Sequence, residues 1–336
     1  MALACALAHA PTLPAQGPGP RAQGPSALHL LVVTGAGGEP RYADAFHESG
    51  AAIVEAAVER FGAAKEDVVL LGERPERAPG VVKGKSSKAN VTAELARLAS
   101  RSKAGDRVLV VLVGHGSHQG GVTRFNIPGP DLTDRELAAA LDALEGRTVG
   151  VVVATSASGE MVKTLSGPGR VVVTATKSGF EGNESIFARH FARAWTGEGA
   201  DVDKDGRVSL LEAFDFARRE VAREYERDGR LLTEHAVLDD DGDGVGTAAP
   251  DGRSGDGALA RRLHFAAAPA PAAGDTATAR LRAERGDLEA RLTALRARKD
   301  TMAETAYERE LEQLLLAIAR NGRELREREG AAGGTP

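Results

Sequence analysis

Short apolar runs alternate with stretches of helical periodicity from residue 28 onward. The apolar runs are nearly continuous in valine and leucine, which is typical of parallel strands that are covered on both faces. This alternation predicts an α/β domain whose mostly parallel sheet is flanked by helices. The predicted strands are Leu28–Val33, Asp67–Leu71, Val108–Val113, Val149–Ala154 and Val171–Ala175, and the predicted helices are Tyr42–Phe61, Asn90–Ser102, Thr133–Leu144 and Glu184–Trp195.

Composition and charge limit the classes of function that the chain can have. The 336 residues are 42% apolar with a formal net charge of −5, and no basic cluster stands out, so nucleic acid is not an expected partner. Cys5 is the only cysteine, which excludes an intrachain disulfide and a cysteine-based zinc site. No apolar run reaches the roughly 18 residues that a bilayer-spanning helix needs, so we expect no membrane span.

The first segment, residues 1–27, resembles the end of a signal peptide followed by a spacer. Small apolar residues lead to Ala8-x-Ala10, which fits a cleavage site, but the basic residues that begin a signal peptide are missing. A leader that directs export to the periplasm or the extracellular space and a disordered alanine-rich leader both fit this stretch. Residues 11–26 are rich in proline and glycine, which predicts a flexible spacer.

The folded domain is predicted over residues 28–245, and two segments of different composition follow it. Residues 246–275 lose periodicity and end in alanine- and proline-rich sequence, which predicts a linker. Residues 276–330 are charged and predict a helical or coiled-coil extension with a heptad stripe. Its partner could be a second copy in a homodimer, another protein, the α/β domain, or its own other half in a hairpin. The stripe comprises Leu281, Leu288, Leu295 and Met302, then Leu311, Ile318 and Leu325.

Polar residues suited to catalysis follow the third and fourth predicted strands. His115 lies between two glycines after Val108–Val113, and Ser156 follows Val149–Ala154. Ligand sites of open parallel sheets form where the carboxyl ends of strands meet. There an imidazole can act as a general base, a hydroxyl as a nucleophile and the amide of Gly116 as an oxyanion donor. Each residue also has a structural explanation, because His115 can close a turn and Ser156 can cap a helix.

Four pieces of sequence together resemble the legumain branch of the caspase-like cysteine peptidases, over roughly residues 28–235. The resemblance implies a caspase-like fold, with His115 as the catalytic histidine and Ser156 where the family has its nucleophilic cysteine. It also implies that the amides of Gly116 and Ser156 are the oxyanion donors. The pieces are Gly114-His-Gly-Ser117, Phe125-Asn-Ile-Pro-Gly-Pro-Asp-Leu-Thr133, Ala154-Thr-Ser-Ala-Ser-Gly-Glu-Met161 and Val171-Val-Val-Thr-Ala-Thr176.

The chain departs from that family at positions with demanding chemistry. Besides Ser156, Gly38 stands where the family has an asparagine that orients the histidine, and Pro40 and Ala154 stand where it has specificity-pocket residues. A serine hydroxyl needs stronger general-base help than a thiol of pKa about 8.5. We therefore expect a peptidase homologue with weak or absent hydrolysis that keeps a peptide-binding or scaffolding role. The alternatives are an active endopeptidase that uses Ser156 and His115, and a structural calcium-binding adaptor.

Residues 201–212 match the ligand pattern of an EF-hand calcium loop, followed by a predicted helix to about Arg227. We expect a structural calcium ion there that fixes this helix against the sheet. An aspartate-rich capping loop without metal is the alternative, because Thr196-Gly-Glu-Gly199 separates the loop from the preceding helix. The predicted ligands are Asp201, Asp203, Asp205, the backbone carbonyl of Arg207, Ser209 and Glu212.

A second acidic run repeats the beginning of this pattern with Asp239, Asp241 and Asp243. It has Pro250 at the twelfth position, where an EF-hand loop requires glutamate. A partial calcium site and a solvated turn explain this run equally well.

Overall fold

A computed structural model describes residues 27–332, except for several short gaps and one longer one. The gaps are residues 198, 204–206, 253–254, 267–276, 279, 282–283, 286–287, 289–290, 293–294 and 296–301. The leader 1–26, Cys5 included, and the predicted ligand Asp205 therefore lie outside the described residues.

Seven strands of the described chain form one sheet in the order β10-β9-β8-β4-β1-β2-β3, and three form a smaller sheet in the order β5-β6-β7. In the large sheet every neighbouring pair is parallel except β10 with β9. The prediction of an α/β fold with a mostly parallel sheet is thus confirmed. The strands are β1 (Leu28–Thr34), β2 (Val68–Gly72), β3 (Val82–Lys85), β4 (Arg107–Gly114), β5 (Gly116–Gln119), β6 (Val122–Phe125), β7 (Leu132–Thr133), β8 (Thr148–Thr155), β9 (Arg170–Thr174) and β10 (Val237–Asp239).

Helices cover both faces of the large sheet. Side chains alternate along β1, so that Leu30 and Val32 pack in one core with α1, α5 and α6, while Leu31 and Val33 pack in the other with α2, α3 and α4. Such two-sided burial explains why the central strands are continuous runs of apolar residues. The helices are α1 (Pro40–Glu59), α2 (Lys88–Arg101), α3 (Asp134–Leu141), α4 (Met161–Leu165), α5 (Phe187–Thr196), α6 (Leu210–Arg227) and α7 (Glu304–Ala332).

The N-terminus of α3 illustrates how local sequence sets an element boundary. Thr133 accepts a hydrogen bond from the amide of Glu136 at 3.3 Å, and the Glu136 carboxylate accepts one from the amide of Thr133 at 2.9 Å. This reciprocal capping box satisfies backbone donors that have no partner within the helix. The helix predicted over Thr133–Leu144 begins where it was expected, and Thr133 is its cap.

Residues 255–266 pack against the domain, which differs from the linker predicted over 246–275. Phe265 is fully buried and its ring stacks on that of Trp195 at 3.7 Å between centroids. Asp240 holds the start of the segment, because its carboxylate accepts hydrogen bonds from the amides of Gly257, Leu259 and Ala260 at 2.7–2.9 Å. Composition could not show this packing, since the ring and the carboxylate contact residues distant in sequence.

The leucines of the C-terminal stripe pack on one another within the chain. Leu288 and Leu295 form a small apolar core with Leu314 of α7, and the side-chain amide of Asn321 donates to the carbonyl of Leu281 at 2.9 Å. Leu314 was not part of the predicted stripe, but Leu311 and Ile318 of the stripe pack beside this core, so within the described residues the two halves of the segment contact each other. No helix within the described ranges has the length and apolarity required to cross a bilayer.

Replacing Phe265 with alanine should lower the free energy of unfolding by about 3–5 kcal/mol, because a fully buried ring is removed from a packed aromatic cluster. Urea unfolding followed through Trp195, the single tryptophan, measures this effect. The matched control is Arg262→Ala in the same segment, whose exposed side chain should change the stability by less than about 0.5 kcal/mol. Equal effects of the two variants would restore the interpretation of this segment as a linker.

Candidate functional site

The register of β4 against β8 brings His115 and Ser156 to the same place. Gly114 of β4 is paired with Thr155 of β8, so the next residues of the two strands leave the sheet side by side. The strand order also reverses between β1 and β4, because β2 and β3 lie on one side of this point and β8 and β9 on the other. Ligands of open α/β sheets bind at such a switch point.

The hydroxyl of Ser156 is buried and engaged with the backbone. Ser156 is 3% exposed, and its Oγ donates to the carbonyl of Gly116 and accepts from the amide of Gly116, both at 3.1 Å. A Cβ at position 116 would lie 2.5 Å from the carbonyl oxygen of Ser156, so only glycine allows this approach. The hydroxyl therefore links the end of β8 to the start of β5.

The ring of His115 packs against α1 and makes no hydrogen bond with Ser156. Its edge-on neighbours are Tyr42 at 4.8 Å and Phe46 at 5.0 Å between ring centroids. Among the described residues, no carboxylate or amide side chain bonds to this imidazole. The Gly38 position, where an orienting asparagine was missing, provides only backbone. The structure thus places both predicted residues at one edge but does not join them as base and nucleophile.

The predicted oxyanion donors have a related limitation. The amide of Gly116 points at the Ser156 hydroxyl itself, so in this arrangement it already has an acceptor. An oxyanion donor must instead be free to bind the developing charge on a substrate. Chemically, the site as it stands favours a fixed backbone junction over acyl transfer.

The turn after Ser156 is strained and firmly held. Ala157 has φ of 53°, the only positive φ of a non-glycine residue in the described ranges, which costs about 1–2 kcal/mol. Its amide donates to the carbonyl of Glu181 at 2.8 Å, and the amide of Gly159 donates to the hydroxyl of Thr176 at 3.0 Å. Helix α4 begins only at Met161, later than the start near Ser158 that a capping role for Ser156 would need.

The loop between β9 and α5, residues 175–186, forms a rim next to this turn. The sequence analysis did not identify this loop as part of the site. Phe180 at its tip is 92% exposed, an unusual exposure for a large apolar ring. Beneath it, Glu181 accepts from the amides of Lys177 at 3.0 Å and His235 at 3.1 Å. On the neighbouring turn, the hydrogen bond from Lys163 holds the pKa of Glu160 below its usual range. An aromatic residue among glycines and polar residues was the one available sequence signal.

The EF-hand-like loop brings three of its predicted ligands together. Carboxylate oxygens of Asp201, Asp203 and Glu212 lie within 4.8 Å of one another. Glu212 is also the centre of the local hydrogen bonds: Oε1 accepts from the amides of Val202 at 2.8 Å and Asp203 at 3.4 Å, and Oε2 from the amide and hydroxyl of Ser209 at 2.9 and 2.8 Å. Ser209 and Glu212 also form the capping box of α6.

The second acidic run forms a similar but differently bonded cluster. Carboxylate oxygens of Asp239, Asp241 and Asp243 also lie within 4.8 Å of one another. Asp239 is fully buried, and this burial raises the pKa of its carboxyl, whereas the other two are exposed. Oxygen-only ligands of this kind suit hard cations such as calcium.

Comparisons with known proteins add little to this geometry. No family model matches the chain, and no curated protein matches it. Among solved structures, the chain is similar to protein GSU0716 from Geobacter sulfurreducens, with 14% sequence identity and a TM-score of 0.43, covering 67% of this chain and 95% of that one. This likeness is too distant to support any statement about function.

We expect Ser156→Ala to lower the free energy of unfolding by about 1–3 kcal/mol, because it leaves the amide and carbonyl of Gly116 without their partner. Urea unfolding of the purified variant measures the change. Ser117→Ala is the matched control on β5, since the Ser117 hydroxyl makes no hydrogen bond within the described ranges. A neutral Ser156→Ala would mean that the hydroxyl does not stabilise the junction.

Proposed function

We propose that this protein has a caspase-like fold of the legumain type and that it is a peptidase homologue with weak or absent hydrolysis. Peptide binding is its remaining role. The observation that carries the proposal is the bonding of Ser156 Oγ to both backbone groups of Gly116. A hydroxyl held in this way is a structural link, whereas a nucleophile needs its proton directed at a base.

The position of His115 supports the same conclusion. A serine nucleophile depends on a histidine that accepts its proton and on a third group that orients that histidine. Here the imidazole contacts Tyr42 and Phe46, and neither aromatic ring can accept a proton from it or fix its tautomer. The wild-type arrangement must therefore rearrange before proton transfer can occur, which adds to the activation barrier.

Peptide binding is supported by the surface beside the Ser156 turn. Strand β5 begins at Gly116 and is an edge strand of the small sheet, and an extended peptide can pair with such an edge. Phe180 lies on the adjoining rim: Gly179 approaches His118 of β5 so closely that a Cβ at position 179 would lie 2.4 Å from the imidazole. An exposed aromatic ring next to a strand edge is suited to hold an apolar side chain of a bound peptide.

One observation favours the second candidate, an active endopeptidase that uses Ser156 and His115. The positive φ of Ala157 places backbone strain directly after Ser156, and strained turns of this kind are found beside nucleophiles. A rotation of the His115 ring away from α1 would be required to bring its nitrogen to Oγ.

Calcium at the EF-hand-like loop remains part of the proposal. The convergence of Asp201, Asp203 and Glu212 supports it, and an ion there would tie the loop to the first turn of α6. Its role would be structural, because α6 contributes Phe214 and Ala217 to the core beneath the sheet.

Hydrolysis of a mixed fluorogenic peptide library tests the proposal. We expect the wild type and Ser156→Ala to give the same background rate, with calcium and with chelator alike, because the hydroxyl is bound to Gly116 rather than to a base. We expect Ser156→Cys to stay inactive as well, since it restores the thiol but not an oriented histidine.

The variants separate the alternatives. Wild-type turnover that is lost in Ser156→Ala would overturn the proposal and establish a serine endopeptidase. Turnover gained by Ser156→Cys alone would show an intact cleft in which the serine is the only defect, and would support the peptidase ancestry of the site.

Replacing Phe180 with alanine should weaken peptide binding about tenfold, because a central aromatic contact of an interface contributes more than about 1 kcal/mol. Fluorescence anisotropy with pools of labelled peptides measures the affinity. Val81→Ala, an exposed apolar residue before β3 at the far edge of the large sheet, serves as the control and should bind as the wild type does. Absence of binding in the wild type would favour the structural calcium-binding adaptor.

A further inference from the structure

We propose that the loop formed by Asp239, Asp241 and Asp243, here called the second acidic loop, is a calcium site with the buried carboxylate of Asp239 as its central ligand. The site is independent of the proposed peptide-binding role. It is also distinct from the EF-hand-like loop, whose sequence pattern is more complete.

One carboxylate oxygen of Asp239 is buried without a protein donor. Asp239 is fully buried; its Oδ1 accepts from the hydroxyl of Ser166 at 3.1 Å and from the amide of Gly242 at 3.3 Å. Its Oδ2 is buried and has no hydrogen-bond partner of normal length and angle, although the amide of Gly244 also acts on this carboxylate. A buried carboxylate oxygen without a protein donor is costly, because the hydration it loses on burial is not replaced by a hydrogen bond from the chain. A cation bound to this oxygen would provide the missing partner.

The carboxylate of Asp239 also lies close to those of the other two aspartates. A carboxylate oxygen of Asp239 is within 4.8 Å of carboxylate oxygens of Asp241 and Asp243, so the buried group is part of the cluster rather than turned away from it. The amide of Gly242, inside the loop, bonds to the same carboxylate. Three anionic groups at this separation repel one another, and a divalent cation converts that repulsion into attraction.

The comparison with the EF-hand-like loop strengthens the assignment. There, both oxygens of Glu212 accept hydrogen bonds from protein donors, four in all, which matches the roughly four lone-pair sites of a carboxylate. A cation must displace some of these bonds before Glu212 can bind it with both oxygens. In the second acidic loop, Oδ2 of Asp239 has no hydrogen bond of normal length and angle to lose.

The chemistry of the ligands selects the type of ion. All three side chains offer carboxylate oxygens, which bind hard cations in preference to soft ones. Asp241 and Asp243 are exposed, so the loop is open to solvent and can adjust its oxygens to a large coordination shell. Calcium accepts six to eight ligands in flexible geometry, whereas magnesium demands a near-ideal octahedron and retains its water.

An ion at this position would act on the helix that follows Ser156. Ser166, which bonds to Asp239, is the C-cap residue of α4. Gly242 and Gly244 of the loop lie against Gly167 and Lys163, because a Cβ on either glycine would meet them at 3.6 Å. The second acidic loop thus packs along α4 from Lys163 to Gly167, and the ion would fix the far end of the segment that carries the Ser156 turn.

Isothermal titration of the metal-free protein with calcium chloride tests the proposal, with magnesium chloride as the competing ion. We expect Asp239→Asn and Asp243→Asn each to bind one calcium ion fewer than the wild type, or to bind it at least tenfold more weakly. Asp203→Asn, in the EF-hand-like loop, is the matched control and should still bind calcium at the second acidic loop. Magnesium should bind to the second acidic loop more weakly than calcium does.

Thermal unfolding distinguishes a calcium ligand from a residue with only a structural role. For a ligand, the difference in melting temperature between the variant and the wild type changes sign when calcium is added. In chelator, Asp239→Asn should melt at a higher temperature than the wild type, because the amide removes a buried charge and can donate to the neighbouring carboxylates. In calcium the order should reverse, since only the wild type gains the ion.

The proposal is overturned if Asp239→Asn and Asp243→Asn both keep wild-type calcium stoichiometry and affinity. It is also overturned if Asp203→Asn binds no calcium at millimolar concentration. Because these measurements count bound ions, they are unaffected by whether the protein hydrolyses or binds peptides. Asp243→Asn keeps the test valid if substitution of the buried Asp239 prevents folding.

Discussion

The parallel pairing of β4 with β8 is the constraint on which the rest of the molecule depends. The two strands pair over eight successive positions, from Arg107 with Thr148 to Gly114 with Thr155. Both are buried on both faces, so a slip of one residue would turn every side chain to the opposite helix layer. This register fixes both cores and also the point where the segments after β4 and β8 leave the sheet. The closeness of position 115 to position 156 follows from the packing of valines and leucines far below them.

At that edge, the side chains of His115 and Ser156 make stabilising contacts with neighbouring residues and do not bond to each other. The Ser156 hydroxyl joins two backbone groups of Gly116, and the His115 ring fills a space beside two aromatic rings of α1. Active enzymes often keep polar groups under-satisfied at their sites, at a cost in stability. The edge described here shows less of that compromise, apart from the strained backbone at Ala157. In the described arrangement, the hydroxyl of Ser156 contributes to the stability of the backbone junction.

The sequence predicted the parts of the fold that depend on local pattern. Continuous apolar runs located the five central strands, and helical periodicity located the start of α3 at Thr133. The small sheet was missed because β5 consists of Gly116-Ser-His-Gln119, which has no apolar pattern, although Gly120-Gly121 between β5 and β6 is a hairpin signal. The packed segment up to Ala266 was also hidden, since its bonds to Asp240 and its stacking on Trp195 join residues far apart in the chain. For the site, strand order placed His115 and Ser156 at one edge, but the directions of their side chains depend on contacts with α1 and β5 that the strand pattern does not contain.

The two edges of the large sheet carry features that discourage pairing with a second chain. At one edge, the amide and the carbonyl of Leu238 in β10 are both bonded to Thr247, so the chain itself occupies the pairing groups of this residue. At the other edge, β3 is four residues long and carries the exposed side chains of Lys83 and Lys85. Short strands, charged side chains and covered backbone all discourage a second chain from adding to a sheet. We therefore expect the edges of the large sheet, whose strands are strongly apolar, to be poor templates for fibrils.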